Sequence, residues 1–174
     1  MRLAYTITEG RGELDPLLYD VAQTAMTRGL RVAGIVQVNS DRPDCARCDM
    51  DVLVLPDGPM IRISQSLGRE ARGCRLDADG LETSVAAAQA RLDAGADLLI
   101  VNKFGKQEAA GRGFRPVIAQ ALASDVDVLV GVNALNRDAL LAFADGLAEA
   151  VPADQDALTH WLVASRVLGS RIQS

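Results

Sequence analysis

Cysteine, lysine and aromatic side chains are scarce in this chain of 174 residues, and each scarcity excludes a class of function. Three cysteines, Cys45, Cys48 and Cys74, are too few and of the wrong parity for a disulfide framework. Aromatic residues make up 3% of the chain, which leaves little material for stacking the bases of single-stranded nucleic acid. The longest apolar runs, such as Leu98–Val101 and Val126–Val132, fall far short of the roughly 20 residues that span a bilayer. The opening stretch MRLAYTITEGRGELD turns polar and acidic before a signal-peptide core can form. The expectation is a soluble, cytoplasmic protein without a membrane partner. A net charge of −5 and a pI near 4.9 argue against a broad nucleic-acid footprint.

An apolar fraction of 49% is enough to fill a core, and the length suits one domain over residues 1–174. Leu3–Ile7 reads as a first strand, followed by the loop Thr8–Glu13. A helix over Asp15–Arg28 is marked by Asp15 as cap, Pro16 at its first position and Gly29 as its stop. Arg31–Val38 reads as a second strand, so the chain opens with a βαβ unit and a parallel sheet. Pro56-Asp57-Gly58-Pro59 between two apolar segments, Asp51–Leu55 and Met60–Gln65, signals an inserted β-hairpin. Further helices are expected at Ala78–Ala94, Phe114–Ala123, Arg137–Leu147 and Asp154–Leu168, with strands at Asp97–Asn102 and Val126–Val132. Together these make an α/β protein with a three-layer, doubly wound, mainly parallel sheet.

In such sheets ligands bind beyond the carboxyl ends of the strands. Two glycine-bearing loops fall there. Gly10, Arg11 and Gly12 sit in the first, whose backbone amides are placed to hold an anion. That loop lacks the lysine and hydroxyl of a phosphate-binding P-loop, and Glu9, Glu13 and Asp15 oppose phosphate. As a P-loop it is degenerate, and an ordinary βα turn is its alternative reading. The second loop follows Asn102 and holds both lysines of the chain, Lys103 and Lys106, with Arg112 and Arg115 close behind. Cations at a helix start work against the helix dipole unless an anion is bound there; an exposed cationic loop is the plainer reading. Arg62, Arg69, Arg72 and Arg75 form a second basic stretch whose only acid is Glu70. It reads as a clamp over an oxyanion or as a set of salt-bridging side chains. Cys45-x-x-Cys48 with Cys74 has only part of a zinc-site spacing, so no metal ligands are assigned. His160 lacks a nucleophilic partner in sequence and reads as structural.

The motifs CDMDVLVLPDG, ISQSLGREARGCRLD and ADLLIVNKFGKQEAAGRGFRPVI resemble a bacterial family catalogued as a domain of unknown function. The resemblance runs from LAYTITEG to the helix ending near Gly146. Some members of that family are encoded near molybdenum-transport or nitrogen-fixation genes. The family in turn is similar to the small P-loop nucleoside triphosphatases of thermophiles, which implies a P-loop-NTPase-like fold. In those enzymes paired acids end the strand and organise Mg²⁺ and water, followed by Gly-Lys-Met-Glu. The corresponding positions here are Asn102 and Lys103, then Gly105, Lys106, Gln107 and Glu108. An amide and a cation cannot replace two carboxylates at a hard cation.

The leading expectation is therefore a non-catalytic or weakly catalytic P-loop-like accessory factor for a nucleotide or small oxyanion, and the resemblance implies a link to molybdenum metabolism. Gly10–Gly12, Asn102, Lys103, Lys106, Arg112 and Arg115 hold the ligand, and Arg69, Arg72 and Arg75 close over it. The cofactor reading spans a nucleotide with Mg²⁺ or molybdate. One alternative is a Mg²⁺-dependent nucleoside triphosphatase in which Glu108 orients water and Lys106 stabilises the phosphoryl group. Another is an accessory protein that binds a protein partner or a second copy of itself and no small ligand.

Overall fold

A computed structural model describes residues 1–10, 12–40, 49–65 and 76–169. In chain order the elements are β1 (Leu3–Thr6), α1 (Leu14–Thr27), β2 (Val32–Ser40), β3 (Asp49–Val54), β4 (Met60–Arg62), α2 (Ala78–Asp93) and β5 (Leu98–Phe104). They continue with α3 (Lys106–Ala109), α4 (Arg115–Ala123), β6 (Asp127–Val132), α5 (Arg137–Ala144), β7 (Ala148–Ala150) and α6 (Gln155–Gly169). One seven-stranded sheet orders them β4-β3-β2-β5-β6-β1-β7. The pairings β2–β5, β5–β6, β6–β1 and β1–β7 are parallel, and β3 and β4 add an antiparallel hairpin to the outer side of β2.

Alternation along the strands divides the core into two layers. Val32, Val36, Ile100 and Leu129 pack with Leu18, Val21 and Ala25 of α1 and with Leu158 and Trp161 of α6. Ala33, Ile35, Leu99, Val101 and Val130 pack on the opposite face with Leu81 and Leu92 of α2, Ile118 of α4 and Leu140 of α5. Near-continuous apolar strands are what burial on both faces requires. Gly34 interrupts β2 for a steric reason: its φ is +111°, and a Cβ there would strike the backbone of Ile100.

Three expectations shift. The first helix begins one residue early, with Glu13 at its N-cap and no side-chain cap bond. Asp15 is not the cap, because its carboxylate accepts hydrogen bonds from two carboxamides instead. The helix expected over Arg137–Leu147 stops at Ala144, where Asp145 turns left-handed (φ 47°), and the chain returns as β7. Ala-Glu-Ala carries no strand signature; its pairing with Leu3–Tyr5 defines it. Trp161 then donates to Glu149 at 2.6 Å and Arg2 lies 4.3 Å over the indole ring, anchoring α6 beside β1. No helix among the described residues is long and apolar enough to cross a membrane.

Candidate functional site

β5 leaves the sheet through a bulge. Val101 pairs with Val130, but the next pair is Phe104 with Val132, so β5 carries one residue more than its neighbour. Bulges re-aim side chains beside sites. Here Asn102 is 3% exposed, Phe104 is fully buried and Lys103 is turned to solvent.

Asn102 ties three elements together. Its Oδ1 accepts the backbone N–H of Gln37 at 2.8 Å, and its Nδ2 donates to Asp15 Oδ1 at 2.8 Å. The second oxygen of Asp15 accepts from Asn39 Nδ2 at 2.7 Å, and Gln37 Nε2 donates to Asn39 Oδ1 at 2.8 Å. A carboxylate at position 102 could not donate to Asp15 and would repel it, so the amide is the matching partner for an acid on α1. Sequence reasoning missed this network. Its legible sign was polar Gln37 and Asn39 at the end of an otherwise apolar strand.

Glu108 is turned inward beneath its loop. Its carboxylate is 3% exposed, with Oε2 accepting from Gly105 N–H at 2.9 Å and Oε1 from Phe114 N–H at 3.0 Å. It pins both ends of the loop and satisfies two backbone donors. That arrangement explains Gly113: its φ is +59°, and a Cβ would collide with the Glu108 carboxylate. Arg112 Nε donates to Gln107 Oε1 at 2.8 Å. Arg115 lies 4.8 Å over the ring of Phe143 and reaches the Glu108 carbonyl at 3.4 Å, so it serves packing between α4 and α5.

Lys103 and Lys106 remain. Both are exposed, and neither makes an ion pair among the described residues. Together with Gly105 and Gln107 they line one side of a cavity of about 380 Å³, whose other walls include Ile35, Val52, Ile63, Leu81 and Phe114. Asn102 is also in the lining.

The first loop differs. Thr8 Oγ1 donates to the Gly10 carbonyl at 3.2 Å, and the Glu13 carboxylate packs against Gly10, where a Cβ would displace it. Gly12 is exposed with φ +78°. Below the loop, Thr6 is fully buried and its hydroxyl has no hydrogen-bond partner among the described residues. Arg62 is paired across the hairpin with Asp51 at 2.6 Å and Asp49 at 3.0 Å, so for this arginine the salt-bridge reading holds. Hydrogen bonding to Asp51 raises the pKa of its guanidinium. Arg11, Arg69, Arg72, Arg75, Cys45, Cys48 and Cys74 lie outside the described residues. His160 is exposed on α6.

A sheet of this order, with helices on both faces and a glycine-bearing loop between β1 and α1, is a P-loop-NTPase-like fold. Within that class, the chain belongs to the family described as protein of unknown function (DUF2478), which matches residues 3–161. It is 35% identical over 160 residues to the molybdenum import ATP-binding protein ModC 2 of Bradyrhizobium diazoefficiens. That match covers 92% of this chain and 18% of the relative, so the chain spans under a fifth of that protein's length. The crystal structure of THEP1 from the hyperthermophile Aquifex aeolicus superposes with a TM-score of 0.60 at 17% identity, covering 87% of this chain and 88% of that one. The solution structure of a human cancer-related nucleoside triphosphatase gives a TM-score of 0.58 at 17% identity, with 97% and 98% covered. Likeness at this identity establishes the fold alone.

Proposed function

We propose that this chain is an accessory module that binds a nucleotide or a small oxyanion and serves molybdenum import, with Lys103 and Lys106 holding the ligand's charge. The observation that carries the reading is the placement of the chain's two lysines. Both stand at the exit of β5, unpaired among the described residues and beside a cavity, in a protein whose net charge is −5. The P-loop-like architecture supports a nucleotide as one ligand class. Kinship with a segment of a molybdenum import ATP-binding protein supports the setting and the oxyanion class. Arg112 joins the site if it leaves Gln107, and the amides of Gly10 and Gly12 join it once Glu13 moves off the loop.

Hydrolysis is not part of this reading. Mg²⁺ favours hard anionic oxygens, and two of the carboxylates at this edge already spend theirs on hydrogen bonds. Asp15 accepts from two carboxamides, and Glu108 accepts from two backbone N–H groups.

The test is a thermal-shift panel of ATP, GTP, phosphate, sulfate, molybdate and tungstate, with and without Mg²⁺. A ligand at about 100 times its Kd adds roughly 2.7 kcal/mol, which raises Tm by about 5–10 °C at this size. The expected result is a shift that disappears in Lys103→Ala and Lys106→Ala. An unchanged shift in both variants, or none with any anion, overturns the assignment and favours a protein partner. Phosphate release lost in Glu108→Gln with its fold intact would overturn the non-catalytic reading.

A further inference from the structure

The cavity beside the two lysines limits what else the ligand can be. We infer that it takes a small organic anion with an apolar, hydroxyl-poor body: the body enters the cavity and the anionic head stays at the lip with Lys103 and Lys106. This rests on the assignment of the two lysines to an anion and goes beyond it, to a ligand class besides the nucleotide and the inorganic oxyanion.

Three observations lead there. First, the walls are aliphatic and aromatic and come from separate elements. Ile35 is on β2, Val52 on β3, Leu81 on α2, while Ile63 and Phe114 flank β4 and α4. Ile35, Val52, Ile63, Leu81 and Phe114 are also part of the hydrophobic core. A volume of about 380 Å³ lies at the small end of the range for ligand sites, which are mostly apolar with a few polar groups.

Second, much of the hydrogen-bonding capacity in the described lining is already used. Asn102 gives its oxygen to Gln37 N–H and its amino group to Asp15. Both oxygens of Glu108 accept from backbone, and Gln107 Oε1 accepts from Arg112. A hydroxyl-rich body would meet few open partners here besides the Gln37 and Gln107 carboxamides, and burying such groups unpaired is costly.

Third, the unpaired charge is of one sign and on one side. Lys103 and Lys106 flank Gly105 on the lip, both ammonium groups free of ion pairs among the described residues. An ammonium is a point charge that does not demand a planar, bidentate head. Carboxylate, sulfonate and phosphate heads therefore all suit it, and selectivity falls on the body.

The experiment compares three probes with one head: inorganic phosphate, phenyl phosphate and glycerol phosphate. Each is titrated into the full chain by calorimetry and followed by methyl NMR. Phenyl phosphate is expected to bind at least about tenfold tighter than inorganic phosphate, and glycerol phosphate no tighter than inorganic phosphate. Methyl signals of Ile35, Ile63 and Leu81 are expected to move with phenyl phosphate only. Lys103→Ala and Lys106→Ala should each weaken phenyl phosphate while leaving the unliganded methyl spectrum in place. Equal affinity for all three probes, or unmoved cavity methyls, overturns the inference. If inorganic phosphate still depends on the lysines in that case, the anion assignment survives alone. Phenyl phosphate binding unaffected by both lysine variants overturns the two together.

Discussion

Two glycine-bearing loops stand at the same edge of the sheet and do opposite things with charge. The loop after β1 carries Glu9 and Glu13, and Glu13 lays its own carboxylate against Gly10. The loop after β5 carries both lysines, and its one acid, Glu108, is turned inward onto the Gly105 and Phe114 amides. Backbone shape alone would make either loop a candidate for an anion. The difference lies in where the acid goes: across the mouth in the first, behind the loop in the second. A carboxylate that satisfies backbone donors from behind leaves the outer face to the cations.

The largest effect that tests this contrast is structural. Glu108→Ala strips two backbone donors of their acceptor and should cost about 3 kcal/mol, lowering Tm by about 6–12 °C. Glu108→Gln retains one acceptor oxygen and should lose about half of that. A Tm within about 1 °C of the parent in Glu108→Ala would show that the loop does not depend on the inward carboxylate. Next comes the lysine pair. Lys103→Ala/Lys106→Ala should leave the unliganded protein within about 0.5 kcal/mol of the parent, while removing up to about 2.7 kcal/mol of ligand stabilisation. Loss of stability without ligand would make the lysines structural.

The first loop offers a smaller and more direct reversal. Glu13→Lys removes the carboxylate from Gly10 and places a cation there, and phosphate affinity should rise by about tenfold, roughly 1.4 kcal/mol. Calorimetry checks it; unchanged affinity would mean that Glu13 is not what closes the loop. Smallest of all, Arg115→Ala should cost about 0.5–1 kcal/mol through the lost stacking on Phe143, with ligand affinity unmoved. A weaker ligand in that variant would return Arg115 to the site.

The parallel sheet, the hairpin and most helices were legible because strand and helix periods are written in the order of apolar residues. Val32–Val36 and Leu98–Val101 show this directly. β7 was not legible, since Ala148–Ala150 becomes a strand only by hydrogen bonding to β1. In the candidate site, the pair Lys103 and Lys106 was visible from its isolation in the sequence. The inward turn of Glu108 was not legible, because spacing gives a residue's place in a motif and not the direction of its side chain. Asp15 reads locally as a cap, but Asn102 and Asn39, from two other elements, take up its oxygens.

By itself the sequence determined the α/β class, the two loops at the strand ends and the concentration of both lysines in one of them. Those properties follow from local order: periodicity, turn residues and the linear placement of charge. Tertiary structure alone decided that Glu108 faces inward, that Asp15 and Asn102 are partners, and that an apolar cavity opens beside the lysines. Each of these depends on which distant backbone donor or side chain arrives within about 3 Å, and only the folding of the sheet sets that distance.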